Sequence, residues 1–278
     1  MSYYHHRQQQ SRRKQWLGGL LLLLVVAAVA GLFIFKLSLQ QQHIALDPET
    51  QCPVDGPSGY LAVVFDKTDN YNKVQQRYLQ RWFDQLKRDL PTGTRVSLYV
   101  IDGSGQARLD PSLDPSLVVC NPDDGEHANA LYQNPALLHQ RWQQRFEQPL
   151  DRAISAFMQP ASADSSPIFE ILQVVALSAF PPAGATPDPT PKRIVLISDM
   201  IQHTPEWSHY RGQLDLAKLK ASPYFTRVGT NLQGAEVEIL YVRRDGKEAL
   251  QSKRHALFWA DYIAAIGGRV TLIERIDG

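Results

Sequence analysis

Cysteine is almost missing from this chain: Cys52 and Cys120 are the two cysteines in 278 residues. Two thiols without C-x-x-C spacing exclude a thiolate zinc knuckle and a thioredoxin-like redox pair. H-E-x-x-H, G-x-S-x-G and a Walker loop are also absent, which removes the common signatures of zinc hydrolysis, serine acyl transfer and nucleotide binding. The eight histidines show no metal-ligand spacing. Charge of one sign is equally scarce, with 29 Lys and Arg against 28 Asp and Glu for a net charge of +1. Nucleic-acid binding needs a basic surface to neutralise phosphates, and no Lys/Arg cluster supplies one. The expectation is a protein that is not an enzyme and does not bind nucleic acid.

What the chain does contain begins at Trp16, where twenty uncharged residues run to Phe35. That is the roughly 20 residues an α-helix needs to cross a hydrocarbon core. Arg7, Arg12, Arg13 and Lys14 precede the run and Lys36 follows it, so the positive-inside rule leaves residues 1–15 in the cytoplasm. A cleaved signal peptide is the rival reading. Its apolar region is about 7–15 residues and ends at a small-residue cleavage site, which Lys36 to Gln42 do not offer. The sequence therefore predicts a cytoplasmic tail (1–15), a transmembrane helix (16–36), a linker (37–58) and one domain (59–278). Orientation places that domain outside the cytoplasm, as in a single-pass protein of a bacterial inner membrane with a periplasmic domain. The whole chain carries +1 and the tail holds four positive charges and no acid, so the remainder sits at about −3. In an oxidising compartment Cys52 and Cys120 either form a disulfide that ties the linker to the domain or remain two unrelated buried thiols.

The soluble part opens with Tyr60-Leu61-Ala62-Val63-Val64-Phe65, a short apolar run suited to a buried parallel strand. Leu79, Trp82, Phe83, Leu86 and Leu90 then recur at amphipathic-helix spacing. Further strands are expected at Arg95–Ile101, in a short stretch ending at Cys120, at Arg193–Ile197, at Val237–Val242 and at Val270–Ile273. A turn is expected at Asp102-Gly103. Helices are expected at Ala136–Met158, interrupted by Pro149, at Pro167–Ala179 and at His255–Ile266. Strands alternating with helices predict an α/β fold, a doubly wound, mostly parallel sheet flanked by helices, with ligands at the carboxyl ends of the strands.

Three polar clusters fall at those ends. Asp66-Lys67-Thr68-Asp69-Asn70 follows the first strand. Asp164-Ser165-Ser166-Pro167 opens a helix, where Asp164 or Ser165 would serve as N-cap. Ser198-Asp199-Met200 follows the Arg193–Ile197 strand. In this order the clusters resemble the metal-ion-dependent adhesion site of von Willebrand factor A-type domains. Asp66, Thr68 and Asn70 stand at the three positions of its D-x-S-x-S loop. Ser166 stands for its threonine, and Asp199 for the aspartate of its T-D-G or S-D-G loop. The departures are Asn70 for the last serine, Ser166 for threonine, and Met200 for glycine.

The resemblance implies a Rossmann-like domain in which Asp66, Thr68, Asn70, Ser166 and Asp199 hold Mg²⁺, or Mn²⁺ or Ca²⁺, with an open position for a carboxylate of a protein partner. The alternative is a loop cluster in which Asp66 and Asp199 cap turns without metal, in a structural subunit of an envelope complex. Trp207 and Tyr210, in the long polar loop beyond the third cluster, are candidate partner anchors. Asp66-Lys67-Thr68-Asp69 also resembles the nucleophile loop of haloacid dehalogenase-like phosphohydrolases, but that pattern needs an acid where Thr68 stands.

Overall fold

The computed structural model describes residues 23–33, 45–101, 115–126, 128, 133–182, 184 and 188–278. Two compact units divide the chain, Met1–Ala45 and Leu46–Gly278. In the first, residues 23–33 are helical and exposed throughout, with Leu23, Leu24, Val25, Val26, Val29, Leu32 and Phe33 all open to solvent. Among the described residues no helix is long and apolar enough to cross a membrane. The expected cytoplasmic tail, both ends of the expected transmembrane run, residues 37–44 of the expected linker and the expected turn at Asp102-Gly103 lie outside the described residues.

The second unit is built on one six-stranded sheet. Its strands are β1 (Gly59–Asp66), β2 (Thr94–Ile101), β3 (Leu117–Cys120), β4 (Lys192–Ser198), β5 (Glu236–Val242) and β6 (Arg269–Ile276), in the spatial order β3-β2-β1-β4-β5-β6. Every pairing is parallel except β2 with β3, which is antiparallel. The chain winds outward from β1 in both directions. The step from β1 to β4 reverses the strand order, and such a step leaves a crevice at the carboxyl ends of the strands.

Side-chain alternation assigns each face its core. Ala62 and Val64 of β1 and Ile194 and Leu196 of β4 point to one side. There they meet α4 (Ile168–Ser178), α7 (Lys253–Ala265) and the short helices α5 (Leu216–Lys220) and α6 (Pro223–Val228). Leu61, Val63, Phe65, Val195 and Ile197 point to the other. They pack on α1 (Lys73–Asp89), α2 (Pro135–Trp142) and α3 (Gln148–Phe157). Apolar on both faces, β1 and β4 could exist only as central strands.

Local chemistry sets the boundaries. Asn72 caps α1 by accepting from Val74 and Gln75, and Gln75 returns the bond to the Asn72 backbone. The helical region before Met158 runs on from Pro135 but widens into a π turn at Gln143–Glu147. Pro149, two residues past that turn, cannot donate back to the preceding turn, so the wider turn absorbs the missing bond. The segment between β4 and β5 is expected as a long polar loop. It carries α5 and α6, each opened by a side-chain cap, Asp215 for α5 and Ser222 for α6.

The second unit begins at Leu46 rather than at residue 59, so the last part of the expected linker belongs to it. Asp47 folds this segment on itself by accepting from the backbone of Thr50 and from its hydroxyl. The Cys120 amide donates to Thr50 O. Cys52 is joined to Cys120 by a disulfide with the two Cα atoms 4.7 Å apart. The bond closes a loop of 68 residues and fixes the start of the domain to the edge strand β3.

Freshly isolated full-length protein should therefore expose no reactive thiol until it is reduced. Replacing both cysteines by serine should lower the urea-unfolding free energy by about 2–4 kcal/mol. Thiol reactivity in the untreated protein would contradict the pairing.

Candidate functional site

The carboxyl ends of β1, β4 and β5 deliver one connected polar cluster. Asp66, the last residue of β1, is fully buried, so its charge is tolerated only if its oxygens are saturated. They are: Oδ1 accepts from the Thr68 amide at 3.0 Å and the Thr68 hydroxyl at 2.6 Å. Oδ2 accepts from the Ser198 hydroxyl at 2.6 Å and the Ser166 hydroxyl at 3.3 Å. One carboxylate thus gathers all three loops that sequence reasoning singled out.

Each loop is fixed in turn by its own bonds. Ser166 exchanges backbone bonds with His203, joining the second loop to the third. The N-terminus of α4 is capped from the third loop by Gln202 Oε1, which accepts from Ile168 and Phe169. That corrects the expected capping by Asp164 or Ser165. Pro167 separates those residues from the first turn, and Gln202 is already buried beside it. Met200, at the position of the motif's glycine, has φ +62, a left-handed conformation. Its strain is of order 1–2 kcal/mol. Ser198 Oγ offsets that strain by accepting the Met200 amide, and the buried Met200 side chain adds apolar contact that glycine would lack.

Asn70 does not join the cluster. Its side-chain oxygen accepts from the Ala161 amide at 2.9 Å, pinning the approach to the second loop. Asp199 does join, and its Oδ1 accepts from the Ile201 amide at 2.8 Å. Burial first, and then the neighbouring Asp66 charge, push Asp199 up to about 7, while Arg244 pulls it the other way.

Arg244, two residues beyond β5, was not anticipated. Its Nε lies 3.5 Å from Asp199 Oδ2 and 3.9 Å from Asp69 Oδ2, and its Nη1 donates to Asn70 O. The guanidinium also stacks over the Tyr71 ring at 5.3 Å. Gln251 holds the surrounding backbone by accepting the Arg244 amide and donating to Asp199 O and Val242 O. The rule that read the ends of β1 and β4 applies equally to β5, and there Arg243-Arg244-Asp245-Gly246 was the available signal.

These residues do not fit a divalent ion as they stand. A hard cation needs oxygen ligands converging on it. Here one expected ligand, Asn70, is turned to Ala161, and a permanent positive charge already faces Asp199. Among the described residues no group of three or more His, Cys, Asp or Glu forms a metal site.

Around this cluster the third loop divides its two aromatics. Trp207 is 7% exposed and donates to Gln213 O, so it packs the loop down. Tyr210 is 44% exposed, held edge-on to His203 at 5.1 Å and beneath Lys247 Nζ at 4.8 Å. Below the loop runs a buried polar chain in which Tyr241 Oη lies 2.6 Å from His255 Nδ1 and His255 Nε2 lies 2.8 Å from His209 Nδ1.

No family model matches this sequence, and no curated protein gives a significant match. Among solved structures, the chain is similar to proximal thread matrix protein 1 from the mussel byssus, at 14% identity and a TM-score of 0.35. The match covers 68% of this chain and 39% of the mussel chain.

Burial pushes His255 down to about 4 and His209 down to about 2, the latter helped by the neighbouring His255. Both are neutral in the fold and gain a proton on unfolding below about pH 6.5. The stability they contribute is complete above that pH and is lost as pH falls toward their folded values. Asp199 and Glu170, both raised by burial, have the opposite sign, because each tends to hold a proton in the fold and lose it on unfolding. Asp199→Asn removes one of these two opposing contributions, so urea-unfolding free energy should fall more steeply on acidification from about pH 6.5 to 4 in the variant than in wild type. An unchanged slope would contradict the assignment.

Proposed function

We propose that this chain is a membrane-anchored binding and assembly subunit whose α/β domain, of von Willebrand factor A type, engages a protein partner through the loops at the carboxyl ends of β1, β4 and β5. The observation that carries the reading is Tyr210. A large amphipathic ring is held half-exposed in a fixed orientation by His203 and Lys247, at the rim of loops rigidified around Asp66. Preorganised exposed aromatics are what interface hot spots are made of, because little side-chain freedom remains to be lost on binding. The rim adds Asp69 and Lys247, which supply charge for register rather than affinity.

The uncharged run from Trp16 to Phe35 and the exposed apolar helix at 23–33 support the anchor. The Cys52–Cys120 disulfide supports an oxidising, extracytoplasmic location for the domain. A phosphohydrolase reading has little support, since Asp66 is fully buried with both oxygens occupied by hydroxyl donors. Such a carboxylate has no free lone pair aimed at solvent from which to attack phosphorus.

A photo-crosslinking residue at position 210 of the full-length protein, irradiated in its native membranes, should give a discrete protein adduct. The same residue at Leu177, exposed at the far end of α4 from Ser166, should give several-fold less. Equal labelling at both positions, or labelling confined to Leu177, would move the interface off the loop face. Tyr210→Ala should weaken co-purification of the adduct partner without shifting the melting temperature by more than about 2 °C, since an exposed side chain contributes little to stability.

A further inference from the structure

The loop face gathers carboxyl groups, with Asp66 and Asp199 buried and Asp69 half-exposed at the rim. Two neighbouring buried carboxyl groups are both ionised only at high cost, which positive charge beside them reduces. Among the described residues, the cation within salt-bridge distance of Asp199 and Asp69 is Arg244.

Its state is unusual for a structural arginine. The side chain is 10% exposed, yet Nε and Nη2 are sealed from solvent with no hydrogen-bond partner among the described residues. A buried guanidinium normally saturates its donor fork. Here Nε faces Asp199 at a distance that permits charge attraction without an aligned hydrogen bond. The group is held where the charge is needed rather than where its donors are best satisfied. Nη1 to Asn70 O, the Tyr71 ring beneath and Gln251 on the backbone keep it there.

We infer that Arg244 is the resident cation of this face: its guanidinium fills the position toward which the Asp66, Asp199 and Asp69 carboxyl groups would draw a divalent ion, and it keeps such an ion out. Coulomb repulsion from a charge already in place opposes entry of Mg²⁺ or Mn²⁺. The three hydroxyls remain bound to Asp66 instead of turning toward a metal. The inference is independent of partner binding, and its test needs no partner.

The test is Mn²⁺ binding to the full-length protein, followed by the electron paramagnetic resonance of free Mn²⁺ and by melting temperature with and without the ion. Wild type and Arg244→Lys should show no site-specific binding at millimolar Mn²⁺ and no melting shift. Arg244→Ser should melt lower than wild type without metal. It should bind one Mn²⁺ at least tenfold more tightly than wild type and recover melting temperature on binding, and added Asp199→Asn should abolish both effects. Arg244→Gln, which keeps an amide donor for Asn70 O, should behave likewise and guards against misfolding of the serine variant. A single Mn²⁺ bound by wild type and lost in Asp199→Asn would overturn the inference. So would folded Ser and Gln variants that bind no better than wild type, or unfolded ones that Mn²⁺ does not rescue.

Discussion

A carboxylate with no exposure to water governs this fold. Asp66 ends the central strand β1 at the point where the sheet reverses its winding, and the cost of burying its charge is met by four donors. Those donors come from its own loop, from the segment preceding α4 and from the end of β4. Satisfying one side chain therefore fixes three loops relative to one another. The same requirement propagates outward, since Ser198 also receives the Met200 amide and Ser166 is stitched to His203. The apolar faces of β1 and β4 could be covered by helices in several ways, but the polar cap at their carboxyl ends admits few. Hydrophobic burial supplies most of the stability here, and the buried charge supplies specificity of arrangement.

Much of this architecture is legible in the sequence because the signals are local and strong. Runs such as Leu61 to Phe65 and Ile194 to Ile197 read as buried strands, and each stops at the polar residue that enters the site. Asp66, Thr68, Ser166 and Asp199 were named from their positions after strands or before a helix, and the fold brings them together. Asn70 fails because sequence fixes a residue's place in a loop but not the direction of its side chain. An unpaired amide at Ala161, distant in sequence, claims its oxygen. The start of the unit at Leu46 fails for a related reason. Gln, Pro and Asp look like linker, and only the covalent tie to Cys120 and the pairing of Thr50 with that residue make the segment part of the domain. Tyr210 and Trp207 could not be separated by composition, since one packs inward against Gln213 and the other does not.

Arg244 is the most informative omission. The sequence places oxygen ligands at the ends of β1 and β4, because a resemblance to a metal site is carried by acids and hydroxyls. The electrostatic requirement is broader: a pit of buried carboxylates needs positive charge, whatever its source. A guanidinium and a divalent ion differ in consequence. The ion leaves a coordination position for an outside ligand and comes and goes with its concentration, whereas a side chain is present in every molecule and offers no such position. A face neutralised from within has to recognise a partner by shape and by rim groups. On the proposed reading, the weight of recognition shifts from Asp66, which is fully buried, to the exposed Tyr210 and to Lys247 over its ring. The loops would then be a rigid platform whose polar interior holds the geometry while its aromatic edge makes the proposed contact.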